Sequence, residues 1–208
     1  MGYSLDLGAI SLAQYAQLLA KQTLLPGRRM LQEQLPERFA LLAGAGIKTV
    51  SELSIALSTP QRLASLSAST GICEEYLTLL RRELGSLTQK PVPLADFPAV
   101  DPALIGSLAV SGIRSSKAFW EQAGDSSSAL FCLCDLVRIN GVGAVAARAF
   151  YEAGYSSVAA VAQANAGEML SRVSAVNAEK QYYRANLGEK DMQFCIDFAT
   201  LLVEFSSR

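Results

Sequence analysis

The stretch that decides the fold runs from Arg138 to Val158, RINGVGAVAARAFYEAGYSSV. It sets Gly141-Val142-Gly143 between two apolar runs and places Ala146 three residues after the second glycine. Two local structures fit this pattern: the glycine-rich turn of a dinucleotide-binding strand-turn-helix, and a tight hairpin between two short helices. The first needs a buried strand before the glycines and a carboxylate about twenty residues further on to hold a ribose. ALFCLCDLVRI, 129–139, can serve as the strand, but after Gly154 the chain reads SSVAAVAQANA, a capped helix with no second strand and no suitably placed acid. The hairpin reading therefore stands, with a helix over 127–137, a turn at Gly141 and Gly143, and an outgoing helix in AVAARAFYEA. Glycines let the backbone bend there and leave amide groups bare at a helix N-terminus, where an anion is stabilised.

The outgoing helix runs into a turn that the chain uses three times. LLAGAGIKTVSEL (41–53), SLAVSGIRSSKAF (107–119) and AFYEAGYSSVAAV (149–161) align without gaps. Gly46, Gly112 and Gly154 suit the left-handed residue that ends a helix, where a Cβ costs about 1–2 kcal/mol. The apolar residue that follows (Ile47, Ile113, Tyr155) folds back on the finished helix. Thr49, Ser115 and Ser157 then suit the N-cap of the next helix, and Thr49 with Glu52 makes a capping box. Segments 36–57, 102–123 and 144–165 are thus expected to superpose as helix-turn-helix units. A looser relative at 63–84 turns at Gly71-Ile72 and continues with Tyr76, Leu77, Leu80 and Leu84 at helical spacing.

A first helix is expected over about 11–22, before the break at Pro26-Gly27. SLTQKPVPLADFPAVDP (86–102) carries four prolines and cannot be a helix interior. It divides the chain into halves, 1–90 and 91–208. At the far end, GEKDMQFCIDFATLLVEFSSR puts Met192, Cys195, Ile196, Ala199, Leu202 and Val203 on one face, so an amphipathic helix closes the second half. The fold class is all-α: tandem helix-hairpin-helix units in two halves.

Composition narrows the function. The 208 residues are 50% apolar and 18% charged with a net charge of −1, so no global positive field attracts polyanions, and any such contact is local. The chain has no histidine, which removes His-based triads and the usual general base near neutral pH. Cys73, Cys132, Cys134 and Cys195 have no metal-ligand spacing and read as small buried apolar residues. No window is long and apolar enough to span a membrane, and the N-terminus lacks the parts of a signal peptide. The expectation is a cytoplasmic, non-enzymatic protein with no cofactor, no metal, no membrane partner and no small-molecule substrate.

Residues 136–181, with an arginine before the Gly-Val-Gly hairpin, the Ala-Gly turn, Val176-Asn177 and Glu179-Lys180, resemble a bacterial family described as a domain of unknown function, number 4332. LPERFALLAGAGIKTVSEL and YLTLLRREL in the first half are similar to its longer members. The resemblance implies tandem helix-hairpin-helix units and no particular activity. Modules of that kind grip the DNA backbone through hairpin amides, helped by nearby Lys or Arg. Carried onto this chain, the resemblance places phosphate contacts at the backbone of Gly141, Val142, Gly143 and Ala144, with Arg138 and Arg148 as electrostatic helpers. The aligned positions are Glu33-Gln34-Leu35-Pro36 and Ala99-Val100-Asp101-Pro102 in the other two copies, which lose both glycines and read as structural.

A plainer account stands beside each of these assignments. Gly141 and Gly143 can serve only to shorten a turn, and Arg138 and Arg148 can be solvated surface residues. The Arg28-Arg29 and Arg81-Arg82 pairs read as exposed helix faces, Tyr182-Tyr183 as half-buried packing, and Trp120 as core or edge packing. Two functions remain: a module that contacts DNA backbone without sequence specificity through 141–143, and a protein-interaction or scaffold module that binds no nucleic acid.

Overall fold

The computed structural model describes residues 2–22, 24, 26–122 and 127–206. Among them the regular structure is helical, and extended segments pair only as isolated bridges. The fold is all-α. The chain forms two units, one of residues 6–88 and one of 89–208 joined by residues 1–5. The division falls in the proline-rich linker. The first five residues, assigned to the N-terminal half by their position in the chain, instead belong to the C-terminal unit, where Tyr3 and Leu5 are buried.

In the unit 6–88, α1 (Leu12–Lys21) is started by a capping box between Ser11 and Gln14. A 3-10 segment (Pro26–Gln32) leads to α2 (Leu35–Gly44), α3 (Val50–Ala56), α4 (Pro60–Thr70) and α5 (Glu74–Gly85). Thr49 and Glu52 form the capping box of α3, and Thr59 caps α4. Tyr15, Leu19, Leu31, Leu42, Leu53, Tyr76, Leu77 and Leu80 meet in the core. Arg28 reaches the buried Glu83 at 2.6 Å, so the first Arg-Arg pair is not purely a solvated face.

The C-terminal unit contains a 3-10 turn (Leu94–Asp96), then α6 (Pro102–Val110), α7 (Ser116–Gln122), α8 (Ala129–Leu136), α9 (Ala144–Glu152), α10 (Val158–Ala162), α11 (Ala166–Lys180) and α12 (Glu189–Phe205). SSVAAVAQANA is not one helix, because α10 ends at Ala162 and Asn165 caps a new one. The closing helix α12 packs along both α10 and α11. Against two neighbours its buried stripe widens to include Phe198 and Leu201, while Val203, expected inside, is exposed.

The three glycine turns share one hydrogen-bond pattern. Gly46, Gly112 and Gly154 have φ of +89°, +81° and +95°. Their amides donate to Ala43, Ala109 and Tyr151 carbonyls at 2.9, 3.1 and 3.0 Å, and the next residues, Ile47, Ile113 and Tyr155, donate to Leu42, Leu108 and Phe150. These paired bonds form a Schellman motif, which satisfies carbonyls that a helix end would strand.

A longer repeat surrounds the first two turns. Ile10-Ser11-Leu12-Ala13-Gln14-Tyr15 matches Val92-Pro93-Leu94-Ala95-Asp96-Phe97, and each segment pairs with its turn, Ser11 opposite Thr49 and Pro93 opposite Ser115. The first amide of the next helix is thereby given an acceptor: Val50 donates to Ile10 O and Ser116 to Val92 O. The third copy has no such segment. Its equivalent amide, Val158, donates instead to the Asp135 carboxylate at 2.7 Å.

Three of the four cysteines are buried as expected, but Cys73 is exposed at the start of α5. Burial pushes the Cys134 and Cys195 thiols up to about 12. One thiol should therefore react rapidly with a disulfide reagent near neutral pH in the native protein, and four after denaturation, since the thiolate is the reacting form. A second fast native thiol would mean that α8 or α12 opens.

Candidate functional site

The hairpin between α8 and α9 is built by three successive tight bonds: Arg138 N to Asp135 O, Ile139 N to Leu136 O and Val142 N to Ile139 O, at 3.1–3.2 Å. Gly141 takes φ +82°, and Gly143 is extended at φ −85°, ψ 178° as the N-cap of α9. Ile139 and Val142 point inward and are buried, which turns Gly141 and Gly143 outward. Ala147 N closes the first turn of α9 onto Gly143 O.

The second copy keeps the left-handed residue without the glycines: Ala99, aligned with Gly141, has φ +55° two residues before its N-cap. The first copy departs, its left-handed residue being Gln34, the N-cap of α2 itself, at φ +46°. The decisive difference lies one step later. Asp101 stands where the third copy has Gly143, and its carboxylate accepts from Ala103 N at 2.9 Å. The second copy thus carries its own anion on the amide equivalent to that of Val145. Among the described residues, α9 is the one α-helix that begins with neither a side-chain cap nor an acid in its first turn. The amides of Gly141, Gly143, Ala144, Val145 and Ala146 have no acceptor among the described residues.

The expected site changes in three respects. Val142 is not a free donor, because the turn consumes its amide and its side chain is buried. Arg138 is neither a phosphate helper nor a solvated residue, being 4% exposed. It is ion-paired with Asp135 and donates to Tyr3 O at 2.8 Å, Gly2 O at 3.1 Å and Ser206 Oγ at 3.1 Å. Arg148 is largely spoken for, by Glu152 at 2.8 Å and more distantly by Ala99 O. What remains at the surface is the run of amides, flanked by Val145 and by Phe194, 38% and 46% exposed. The Phe194 ring edge lies 3.8 Å from where a Cβ on Gly141 would stand.

Beneath the hairpin is a polar cluster that sequence reasoning missed. Asp135 accepts from Val158 N, Arg138 and, at 3.2 Å, Trp120 Nε1. The Arg138 guanidinium lies 4.7 Å from the Trp120 ring centre, and Tyr3 meets Trp120 edge-on. The Tyr3 hydroxyl bonds Ser116 Oγ at 2.6 Å, and burial raises its pKa. The available signal was an Asp and an Arg three apart in an apolar helix, a spacing that pairs side chains. Its partners come from both ends of the chain, so spacing alone does not find them.

The segment that contains this hairpin matches a family model. Residues 122–200 match the family model of a domain of unknown function (DUF4332). The DUF4332 segment covers α8 to α11 and most of α12, and so contains the glycine hairpin, the Gly154 turn and Asn177, which clasps Tyr183 through both its amide oxygen and nitrogen. The match does not extend to 35–53 or 76–84, where similarity to longer members was expected. The chain has no match among curated proteins or solved structures.

Proposed function

We propose that the protein is a non-enzymatic helix-hairpin-helix binding module whose 139–146 hairpin takes a phosphate of the DNA backbone without reading base sequence. The observation that carries this reading is the open N-terminus of α9. Where the second copy places the Asp101 carboxylate on its own helix start, the third leaves the equivalent amides uncapped behind Gly143. Amides aimed outward at the positive end of a helix dipole favour an anion. The donors are Gly141, Gly143, Ala144 and Val145, with Arg148 in a lesser role because Glu152 already neutralises it. Binding is therefore weak, and its log-log salt slope is about one unit or less, since about 0.9 is expected for each phosphate neutralised by a cation. We infer a cytoplasmic location with this reading.

The test is Gly143→Asp, which installs in the third copy what Asp101 is in the second. Gly143 has ordinary backbone angles and open space around an added Cβ, so the variant folds, and the cap adds roughly a few tenths of a kcal/mol of stability over glycine. Fluorescence anisotropy with a labelled duplex at low salt should show binding by the natural chain and none by the variant. Gly143→Ala, which adds no charge, should bind nearly as well. Binding retained by Gly143→Asp refutes the phosphate grip. A natural chain that binds no DNA favours the second reading, a protein partner seated on the exposed Val145 and Phe194.

A further inference from the structure

Among the α-helices, α6 alone has no buried residue among the described residues. Its sequence is nevertheless apolar: from Pro102 to Ile113 there is no charged side chain, Val110 is 91% exposed and Leu104 42%. Helices exposed on one side normally set polar residues there, so an uncharged outer face calls for a cover. The two serines on that face do not oppose burial, since Ser107 Oγ donates to Leu104 O at 2.8 Å and Ser111 Oγ to Ser107 O at 3.4 Å. Charge is confined to the two ends. Asp101 precedes the helix, and the exposed Arg114, whose guanidinium has no partner among the described residues, follows it.

That arrangement is self-complementary. Asp101 stands at the N-terminal end of α6 and Arg114 just past the Gly112 turn at its C-terminal end, while Leu104 and Val110 lie three residues either side of Ser107. We propose that α6 is a homodimer interface in which a second copy's α6 packs antiparallel across a two-fold axis at Ser107, beside Gly106. Small residues at the axis let the two backbones approach closely. Leu104 then covers the partner's Val110, Asp101 faces the partner's Arg114, and the two helix dipoles oppose. An isologous contact of this kind closes on itself and builds no filament.

Sedimentation of the full chain without DNA tests this independently of the hairpin. The natural protein should sediment at twice its 22.2 kDa, and Val110→Glu at the monomer mass with an unchanged helical spectrum. Arg114→Glu should weaken association at least about tenfold, because like charges then meet at both ends. In a Cys73→Ser background, Ser107→Cys should form a disulfide-linked dimer on mild oxidation, and adding Val110→Glu should abolish it. A natural chain that stays monomeric up to about 100 µM overturns the proposal, as does a dimer that Val110→Glu leaves intact. Dimers that resist the Ser107→Cys crosslink overturn it as well.

Discussion

Arg138→Ala should be the most damaging single substitution in the C-terminal unit, lowering its stability by about 3–5 kcal/mol. The loss is not that of one salt bridge at the surface. Asp135 and Arg138 are 7% and 4% exposed, so removing the guanidinium leaves a carboxylate buried without its countercharge. It also strands the Tyr3 and Gly2 carbonyls and removes the bond to Ser206 Oγ. Trp120, the single tryptophan, sits against the guanidinium, so its fluorescence follows urea unfolding of this unit directly. Asp135→Asn should also be strongly destabilising, because an amide whose oxygen accepts from Val158 N sets its NH2 group against the Arg138 and Trp120 donors. The double variant Asp135→Asn, Arg138→Met should fall short of the sum of the singles, because neither charge is then left alone. An Arg138→Ala midpoint within about 1 kcal/mol of the natural chain would mean that the pair is not enclosed in solution.

The cluster has a physical purpose that the repeat makes plain. Each copy must give an acceptor to the first amide of its outgoing helix. Two copies use the carbonyls of Ile10 and Val92, and the third uses a carboxylate because α8 has replaced the extended segment. A buried carboxylate is tolerable only with a countercharge, and Arg138 supplies it.

Valine at Gly46, Gly112 or Gly154 should cost roughly 1–2 kcal/mol or more at each site, read as a fall in denaturant midpoint at constant slope. Gly46 is the cleanest case. An added Cβ there meets nothing within 4 Å, so the whole effect comes from holding a β-branched residue at φ +89°. Helical circular dichroism is the readout, since Trp120 lies in the other unit. Gly46→Asn should recover part of the loss, because asparagine tolerates the left-handed region. Equal stability of Gly46→Val and the natural chain would show that the Schellman turn does not hold this backbone.

What the amino-acid sequence determined by itself is the local alphabet of the fold. Helix ends are set by interactions within a few residues: the glycine at positive φ, the apolar residue that folds back, the hydroxyl cap. Those signals stand at fixed spacing in 41–53, 107–119 and 149–161, so the all-α class, the turns and the hairpin at Gly141 were legible without coordinates. The matching segments at 10–15 and 92–97 were equally visible, but they precede their turns by different distances, which hides the repeat from a gapless alignment. The tertiary structure alone decided the fate of the charges. Arg138 looks like a free cation beside a glycine hairpin until residues 2–3 and Ser206 arrive from the chain ends to enclose it, and Arg148 until Ala99 comes within reach. Whether a long side chain is solvated or enclosed depends on which distant backbone covers it. Sequence spacing carries little of that, because the enclosing atoms here lie as many as 136 residues away.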